Sequence, residues 1–208
     1  MQLYYFETPN PRKPCAVAAH LNLPVEYVRV DLTRGEQKRA EFLAVNPNGR
    51  VPALRDGDVR LWESHAIMIY LAQKAGSDLW PSEPATQVDV VRWLQWDTAH
   101  FSRHAGRLFW ENHVKRAFGL GETNAAEVAD ALGYFRQFAS VLDGHLDGRA
   151  WLVGDRLTVA DFAVASFLPT AAEARLPLAD FPQIVRWHER MMTLPAWRDP
   201  WPAARKAA

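Results

Sequence analysis

The residues best placed to hold a ligand lie between positions 46 and 67. Val51-Pro52 precedes a short apolar run typical of a strand, and proline occurs where a strand begins or at its edge because it has no N–H for the ladder. An X-Pro bond at such a turn can be cis, and the Val51 backbone groups are expected to face outward, where an extended peptide could pair with them. Glu63 and Ser64 then open a helical pattern, whose free N–H groups attract an anion. The Ser64 hydroxyl adds a donor and Glu63 an acceptor for a cation, so the region suits a small peptide zwitterion.

The same residues form a longer pattern, Asn46-Pro47-Asn48-Gly49-Arg50-Val51-Pro52-Ala53-Leu54 followed by Glu63-Ser64-His65-Ala66-Ile67. This pattern resembles the glutathione site of the glutathione S-transferase family. The resemblance implies that the backbone of glutathione pairs with Val51, beside Pro52, and that Glu63 and Ser64 hold its γ-glutamyl end. A hairpin that leads into a helix without any ligand is the alternative, but a turn and a cap do not require all of these residues together.

Thr8 and Asn10 follow the apolar run at residues 3–6 and precede a predicted helix. A hydroxyl beside a helix N-terminus lies where an anion is stabilised, and a hydrogen bond donated to a thiolate lowers the pKa of the thiol. The string Thr8-Pro9-Asn10 resembles the nu class and related bacterial members of the family. The resemblance implies that Thr8 activates the glutathione thiol, with Asn10 as the second candidate. Both residue types also fill caps and turns for local reasons alone, so which of them contacts the sulfur stays open.

Two basic residues are further candidates for glutathione binding. The run Gly35-Glu36-Gln37-Lys38 resembles the phi class, which implies that Lys38 contacts the glycine carboxylate of glutathione through a charge-assisted hydrogen bond. A solvated surface lysine explains Lys38 equally well. Arg50 is another candidate contact for a carboxylate or for the ligand backbone, at a position where the family often has Gln or Lys.

The composition restricts the class of protein. The 208 residues are 49% hydrophobic and 23% charged, with a formal net charge of zero, which argues against a nucleic-acid or anionic-membrane surface. The single cysteine, Cys15, excludes an internal disulfide and fits a reducing cytosol; a lone cysteine is more often a small buried residue than a nucleophile. The N-terminus lacks the features of a signal peptide and no apolar run is long enough to span a bilayer. A cytoplasmic protein without nucleic-acid or membrane partners is expected.

The apolar patterns predict two domains. Residues 1–77 show the order strand, helix, strand, helix, strand, strand, helix, a thioredoxin-like layout with a small mixed sheet and helices on both faces. Residues 78–85 contain two prolines and no periodicity, as in a linker, and residues 86–208 show helical periodicity, with capping-box spacing at Thr158 and Asp161. The fold class is therefore α/β plus all-α: an N-terminal thioredoxin-like domain followed by an all-helical C-terminal domain, as in the family it resembles.

The long helix predicted from residue 86 to about residue 110 carries candidate contacts for a second substrate, as one wall of its pocket. They are His100, Phe101, His104 and Leu108. Asp97 shares a helical face with the two histidines, which is one pattern for a metal site, but no fourth ligand lies nearby in sequence and no H-E-x-x-H motif is present. Polar groups lining a cleft are therefore the favoured interpretation, and no metal is predicted.

The resemblance predicts a glutathione transferase that uses glutathione as co-substrate and activates its thiol for attack on a hydrophobic electrophile or a disulfide. Two alternatives stay open: a glutathione-dependent disulfide reductase, which the Thr8-Pro9-Asn10 string suggests, and a non-catalytic module that binds glutathione. The resemblance also implies a homodimer. The identity of the second substrate is left open, because the helical residues that would bind it form no motif.

Overall fold

The apolar run near the N-terminus becomes an inner strand of a four-stranded sheet in the computed structural model, which describes residues 1–202. The first elements are, in chain order, β1 (Gln2–Tyr5), α1 (Pro9–His20), β2 (Glu26–Arg29), α2 (Ala40–Leu43), β3 (Ala53–Asp56), β4 (Val59–Trp62) and α3 (Ser64–Lys74). The strand order is β2-β1-β3-β4, with β1 parallel to β2 and antiparallel to β3, and β3 antiparallel to β4. This order of elements is the one that the sequence predicts, and α1 packs against α3.

Local sequence explains where these elements begin and turn. Thr8 is the N-cap of α1 in extended conformation, and Pro9 occupies the first helical position, where its missing N–H costs nothing. Gly57, with φ of 59°, makes the tight turn between β3 and β4. The Tyr70 hydroxyl donates to Asp56 at 2.7 Å, which ties α3 to the end of β3.

The second unit spans residues 81–192 and is helical. Its α-helices are α4 (Pro84–Trp96), α5 (Ser102–Phe109), α6 (Lys115–Ala117), α7 (Ala125–His145), α8 (Val159–Val164), α9 (Ala171–Ala174) and α10 (Pro182–Met192). Two π-helical segments, Asp97–Phe101 and Trp110–Val114, join α4, α5 and α6 into one continuous helical stretch. In the part of the chain that the structure describes, no helix is both long and apolar enough to cross a membrane.

Aromatic rings form much of the core of the helical unit. Phe101 and Phe135 are completely buried with ring centroids 5.2 Å apart. Trp96 stacks on Phe101 at 5.7 Å, and Phe181 meets Phe135 edge to face at 6.5 Å. These contacts tie α4 and α7 to the start of α10, since such pairs add to the free energy gained by burial.

The predicted capping box begins α8. Asp161 is completely buried and accepts hydrogen bonds from Thr158 N at 2.9 Å, Leu152 N at 3.0 Å and Trp187 Nε1 at 3.2 Å. Burial raises the pKa of the Asp161 carboxyl to about 6, although the donated hydrogen bonds act in the opposite direction. One carboxylate thus satisfies buried N–H groups from three segments of the helical unit.

The C-terminal segment packs on the first unit. Helix α11 (Pro195–Arg198) lies against α1, where Arg12 Nη1 donates to the carbonyl oxygen of Trp197 at 2.6 Å. The Arg12 guanidinium also lies over the rings of Trp197 and Trp201, at 5.4 and 5.6 Å, and Trp201 stacks on Tyr5 at 5.9 Å. We call these four residues the C-terminal clamp.

The clamp groups the last described residues with the first unit. The sequence predicts a helical domain over residues 86–208, whereas residues 193–202 group with residues 1–80 in one unit. The contacts of Arg12 are the physical reason. The last part of the prediction, residues 203–208, lies outside the described residues.

Candidate functional site

The turn before Val51 is built by Asn46, whose side chain is almost completely buried. Its Nδ2 donates to the carbonyl oxygen of Arg50 at 2.6 Å, and its Oδ1 accepts from the Asn48 N–H at 3.0 Å. Gly49 has φ of 59°, and a Cβ there would lie 3.1 Å from the carbonyl oxygen of Gln37. Glycine is therefore the residue that fits this turn, which is held against the preceding loop.

Val51 lies just before the paired part of the sheet, because the β3 ladder begins at Ala53. Its side chain packs against the buried cluster of Val30, Phe42, Val45 and Ala53. The Val51–Pro52 peptide bond is cis. With the side chain directed to the core and no ladder partner in the described sheet, the Val51 backbone can pair with an extended peptide.

Glu63 and Ser64 begin α3. Glu63 is exposed and has φ of 69° and ψ of 118°, a conformation that costs a non-glycine residue on the order of 1–3 kcal/mol and that occurs preferentially at ligand sites. Within the described chain its side chain makes no capping hydrogen bond, which leaves the first N–H groups of α3 for an anion. Ser64 is the first helical residue and is largely buried, with 8% of its surface exposed.

Thr8 occupies the N-cap of α1 without capping it. Its side chain makes no hydrogen bond to the helix, and its hydroxyl donates over a long 3.4 Å to the carbonyl oxygen of Phe6. The hydroxyl is half-buried at the positive end of the α1 dipole. A thiolate beside it would gain both the donated hydrogen bond and the dipole.

Asn10 and Lys13 are joined by a hydrogen bond, and only Asn10 of the two was predicted from the sequence. Asn10 is exposed in the first turn of α1, and its Oδ1 accepts from Lys13 Nζ at 3.1 Å. Lys13 is only 3% exposed, and its Nζ lies 3.5 Å from His65 Nε2 on α3. Lys13 could have been predicted as a neighbour of Asn10 from its position, because residues three apart on a helix are neighbours.

Lys38 and Arg50 are both exposed, on two neighbouring loops. Lys38 is the last residue of the 3-10 turn Glu36–Lys38 and directly follows Gln37. The carbonyl oxygen of Gln37 lies close to Gly49, and Arg50 is the residue after Gly49. The two basic side chains therefore project from adjacent loops of the first unit and could receive a carboxylate.

Cys15 lies inside α1 and is completely buried. Burial raises the pKa of its thiol far above the ordinary value, with the nearby Glu7 carboxylate adding to the effect. The thiol therefore stays protonated and inaccessible, which does not suit a nucleophile.

The four candidates for second-substrate binding separate into two groups. Phe101 is completely buried in the aromatic core and Leu108 is 1% exposed, so their expected role as wall residues is not supported. The helical spacing placed them near the histidines, but packing against α7 and other neighbours decides which side of the helix is covered.

His100 and His104 line a groove on the helical unit with a volume of about 390 Å³. His100 stacks on Phe138 at 4.5 Å and His104 on Tyr134 at 4.8 Å. Burial, aided by Arg107, lowers the pKa of His104, so its imidazole is neutral near neutral pH. The groove is thus lined by aromatic rings and by the neutral imidazole of His104, beside the charged side chains of Arg103, Arg107 and Asp130.

Asp97, which shares a helical face with His100 and His104 in the sequence, lies in the core. Asp97 is completely buried and accepts from the Ser102 hydroxyl at 2.5 Å. Among residues 1–202, no group of three His, Cys, Asp or Glu side chains is arranged to hold a metal ion.

Comparisons with known proteins identify the family. The family model for the glutathione S-transferase N-terminal domain matches residues 1–73, and that for the C-terminal domain matches residues 100–195. Glutathione S-transferase 3 of Zea mays is 35% identical over 198 residues, which cover 92% of this chain and 88% of the relative. The chain therefore belongs to the glutathione S-transferase family, and the predicted two-part fold is confirmed.

Two further relatives define the range of similarity. Disulfide-bond oxidoreductase YfcG of Escherichia coli (strain K12) is 29% identical over 203 residues, 94% of this chain and 92% of the relative. A glutathione transferase family member from Pseudomonas fluorescens pf-5, whose crystal structure has two glutathione bound, superposes with a TM-score of 0.86 and 30% identity, covering 96% of this chain and 91% of that one.

Proposed function

We propose that this protein is a glutathione transferase whose first unit binds glutathione and stabilises its thiolate. The observation that carries the proposal is the position of Thr8, an N-cap residue whose hydroxyl does not cap its own helix. The hydroxyl makes a long hydrogen bond of 3.4 Å to the Phe6 carbonyl oxygen, which it can exchange for one to a sulfur atom. Donation from this hydroxyl, together with the dipole of α1, lowers the pKa of a bound thiol. The thiolate then attacks an electrophilic carbon, forms a carbon–sulfur bond and expels the leaving group.

The remaining parts of the first unit bind the peptide. In this proposal the Val51 backbone, beside Pro52, pairs with the backbone of glutathione. The γ-glutamyl carboxylate is bound by Ser64 and by the first N–H groups of α3. Glu63 accepts from the γ-glutamyl ammonium group. Lys38 and Arg50, exposed on adjacent loops, receive the glycine carboxylate.

The second substrate is proposed to be a flat hydrophobic electrophile. His100 and His104 are stacked on aromatic rings along a groove of about 390 Å³, a volume in the range of small-molecule sites. Offset stacking on these rings would favour an aromatic compound over an aliphatic one. We further propose that the protein is a cytoplasmic homodimer, as the family resemblance implies.

The test is a titration of glutathione into the protein across pH, followed by the ultraviolet absorbance of the thiolate. A bound thiol that ionises well below the pKa of free glutathione supports the transferase, and a Thr8→Ala variant should lose much of this shift. The matched Thr8→Ser variant keeps a hydroxyl and should retain it. Binding with an unshifted thiol would favour the non-catalytic module instead, and no binding would contradict the proposal.

Disulfide reduction is the second candidate. The similarity to a protein named disulfide-bond oxidoreductase, together with the Thr8-Pro9-Asn10 string, favours it. The same thiolate would then attack a sulfur atom of a disulfide rather than a carbon atom. Turnover of a model disulfide against turnover of an aromatic halide separates the two activities.

A further inference from the structure

Lys13 is a charged side chain in an unusual place for a lysine. It lies in the second turn of α1 and is 3% exposed. Burying an ammonium group is costly unless hydrogen-bond acceptors surround it. Such a residue, one helical turn from the candidate residue Asn10, needs a physical explanation.

The chemistry of the ammonium group fixes the orientation of Asn10. A lysine ammonium has three donors and no acceptor, so the Asn10 atom that lies 3.1 Å from it has to be the amide oxygen. The amide Nδ2, with its two N–H donors, then points away from Lys13. Asn10 is the second residue of α1 and its side chain is exposed, so these donors are open to a ligand beside the helix N-terminus.

The same ammonium also reaches α3. The Lys13 Nζ lies 3.5 Å from His65 Nε2, and His65 directly follows Ser64. Because the ammonium only donates, the His65 nitrogen facing it has to be the unprotonated one. Lys13 therefore connects the turn that holds Asn10 with the helix start proposed to bind the γ-glutamyl carboxylate.

We propose that Lys13 is a positioning residue for thiol activation: it holds the Asn10 amide with its oxygen inward, so that the Asn10 N–H groups face the glutathione sulfur. This inference rests on the proposed function. Without Lys13 the amide can rotate by half a turn and present its oxygen, which repels a thiolate. Asn10 then changes from a donor that stabilises the thiolate to an acceptor that opposes it.

The experiment measures the thiol pKa of glutathione bound to the wild type and to two matched variants. Lys13→Gln removes the charge but keeps an N–H donor for the Asn10 oxygen, whereas Lys13→Met removes both at similar volume. We expect Lys13→Met to raise the pKa of the bound thiol by about one unit, and Lys13→Gln to stay close to the wild type. The affinity for glutathione with a protonated thiol should change little in either variant. General damage to the site would instead change the affinity and the thiol pKa together.

A double-mutant cycle with Asn10→Ala separates orientation from charge. If Lys13 acts through Asn10, Lys13→Met adds no further rise in the thiol pKa in the Asn10→Ala background. A rise of equal size in both backgrounds, or Lys13→Gln behaving as Lys13→Met does, would show that the ammonium acts directly by its charge and would overturn the inference. If Lys13→Met fails to fold by circular dichroism, the comparison of Lys13→Gln with the wild type still decides.

The outcome also distinguishes the inference from the function on which it rests. A wild type that lowers the thiol pKa while Lys13→Met lowers it equally contradicts the inference alone. A wild type that binds glutathione with an unshifted thiol contradicts both.

Discussion

In the proposed complex, Ser64 and Thr8 would contact different ends of glutathione, and their surroundings differ accordingly. Ser64 is largely buried at the start of α3, where it can meet a carboxylate that takes no part in the reaction. Thr8 is half-buried at the start of α1, where it can meet the reacting sulfur. Substitutions at the two positions should therefore affect different kinetic constants.

Replacing Ser64 by Ala should weaken glutathione binding about ten-fold, because one hydrogen bond to a charged group is lost. The turnover number at saturating glutathione should change little, since the interaction is equally strong before and during the reaction. Calorimetric titration gives the affinity and steady-state kinetics gives the turnover. Ser82→Ala, at an exposed position in the segment before α4, is the matched control. Unchanged affinity in Ser64→Ala would exclude the proposed role.

Cys15 should not react with thiol reagents in the folded protein. It is completely buried and burial raises the pKa of its thiol, so neither access nor the reactive thiolate is provided. Labelling with an aromatic disulfide reagent should be slow in buffer and rapid in denaturant. Rapid labelling of the native protein would mean that α1 opens locally.

Residue types and spacing predicted much of the candidate site, because the turn at Val51-Pro52 and the helix start at Glu63-Ser64 are local features. Lys13 was missed for the opposite reason. A lysine in a helix usually indicates a solvated face, and its burial here depends on how α1 packs against α3. Phe101 and Leu108 are the opposite case, because they were expected to line a pocket and are buried instead. Spacing identifies the helical face on which a residue lies, but not what packs against that face.

At the scale of elements, α8 depends on a single buried carboxyl. The folded pKa of Asp161 is about 6, above its ordinary value of 3.8, so the folded state binds a proton more readily than the unfolded state between these values. The stability that protonation contributes is fully present below about pH 4 and is lost as pH rises through about 6.

The variant Asp161→Asn removes this titration. Its amide cannot accept from all the donors that face Asp161, so we expect it to be less stable than the wild type. The wild-type advantage in the free energy of unfolding should shrink by up to about 3 kcal/mol between about pH 4 and about pH 7. Urea unfolding at both pH values measures the difference, with Glu122→Gln at an exposed position as control. An advantage that grows with pH would contradict the assignment.

Apolar periodicity also predicted most of the elements, because the strands and helices that line the cores repeat their buried positions. It predicted one uninterrupted helix from residue 86 to about residue 110. The structure instead has two π-helical segments within a helical stretch that continues to residue 117. Each such segment contains an additional residue in one turn, and sequence periodicity does not register that change.

At the scale of the whole molecule, residues 193–202 pack on the unit that residues 1–80 form. Helix α11 has four residues, too few for a periodic pattern, so its packing on α1 could not be read from the sequence. The contacts of Arg12 could not be predicted from local sequence either, because its partners lie more than 180 residues away in the chain. The placement of residues 193–202 beside α1 therefore depends on contacts that local sequence does not predict.

Trp197→Ala tests the C-terminal clamp. Trp197 is completely buried and takes the Arg12 guanidinium over its ring, so its truncation should lower the free energy of unfolding by about 3–5 kcal/mol. Trp62→Ala, at a residue that is 43% exposed, should cost much less. Urea unfolding followed by far-ultraviolet circular dichroism gives both values. Equal small losses would mean that α11 contributes little to the first unit.

The burial of the only cysteine limits which groups can supply electrons to a redox reaction at this site. Reduction of a disulfide requires two electrons, and a chain with one inaccessible thiol cannot supply them by forming a disulfide of its own. Both electrons would have to come from two molecules of glutathione. The first would form a mixed disulfide with one half of the substrate and expel the other half as a thiol. The second would attack the mixed disulfide, forming glutathione disulfide and releasing the remaining half of the substrate as a thiol. The protein itself would then pass through the cycle without any change of oxidation state.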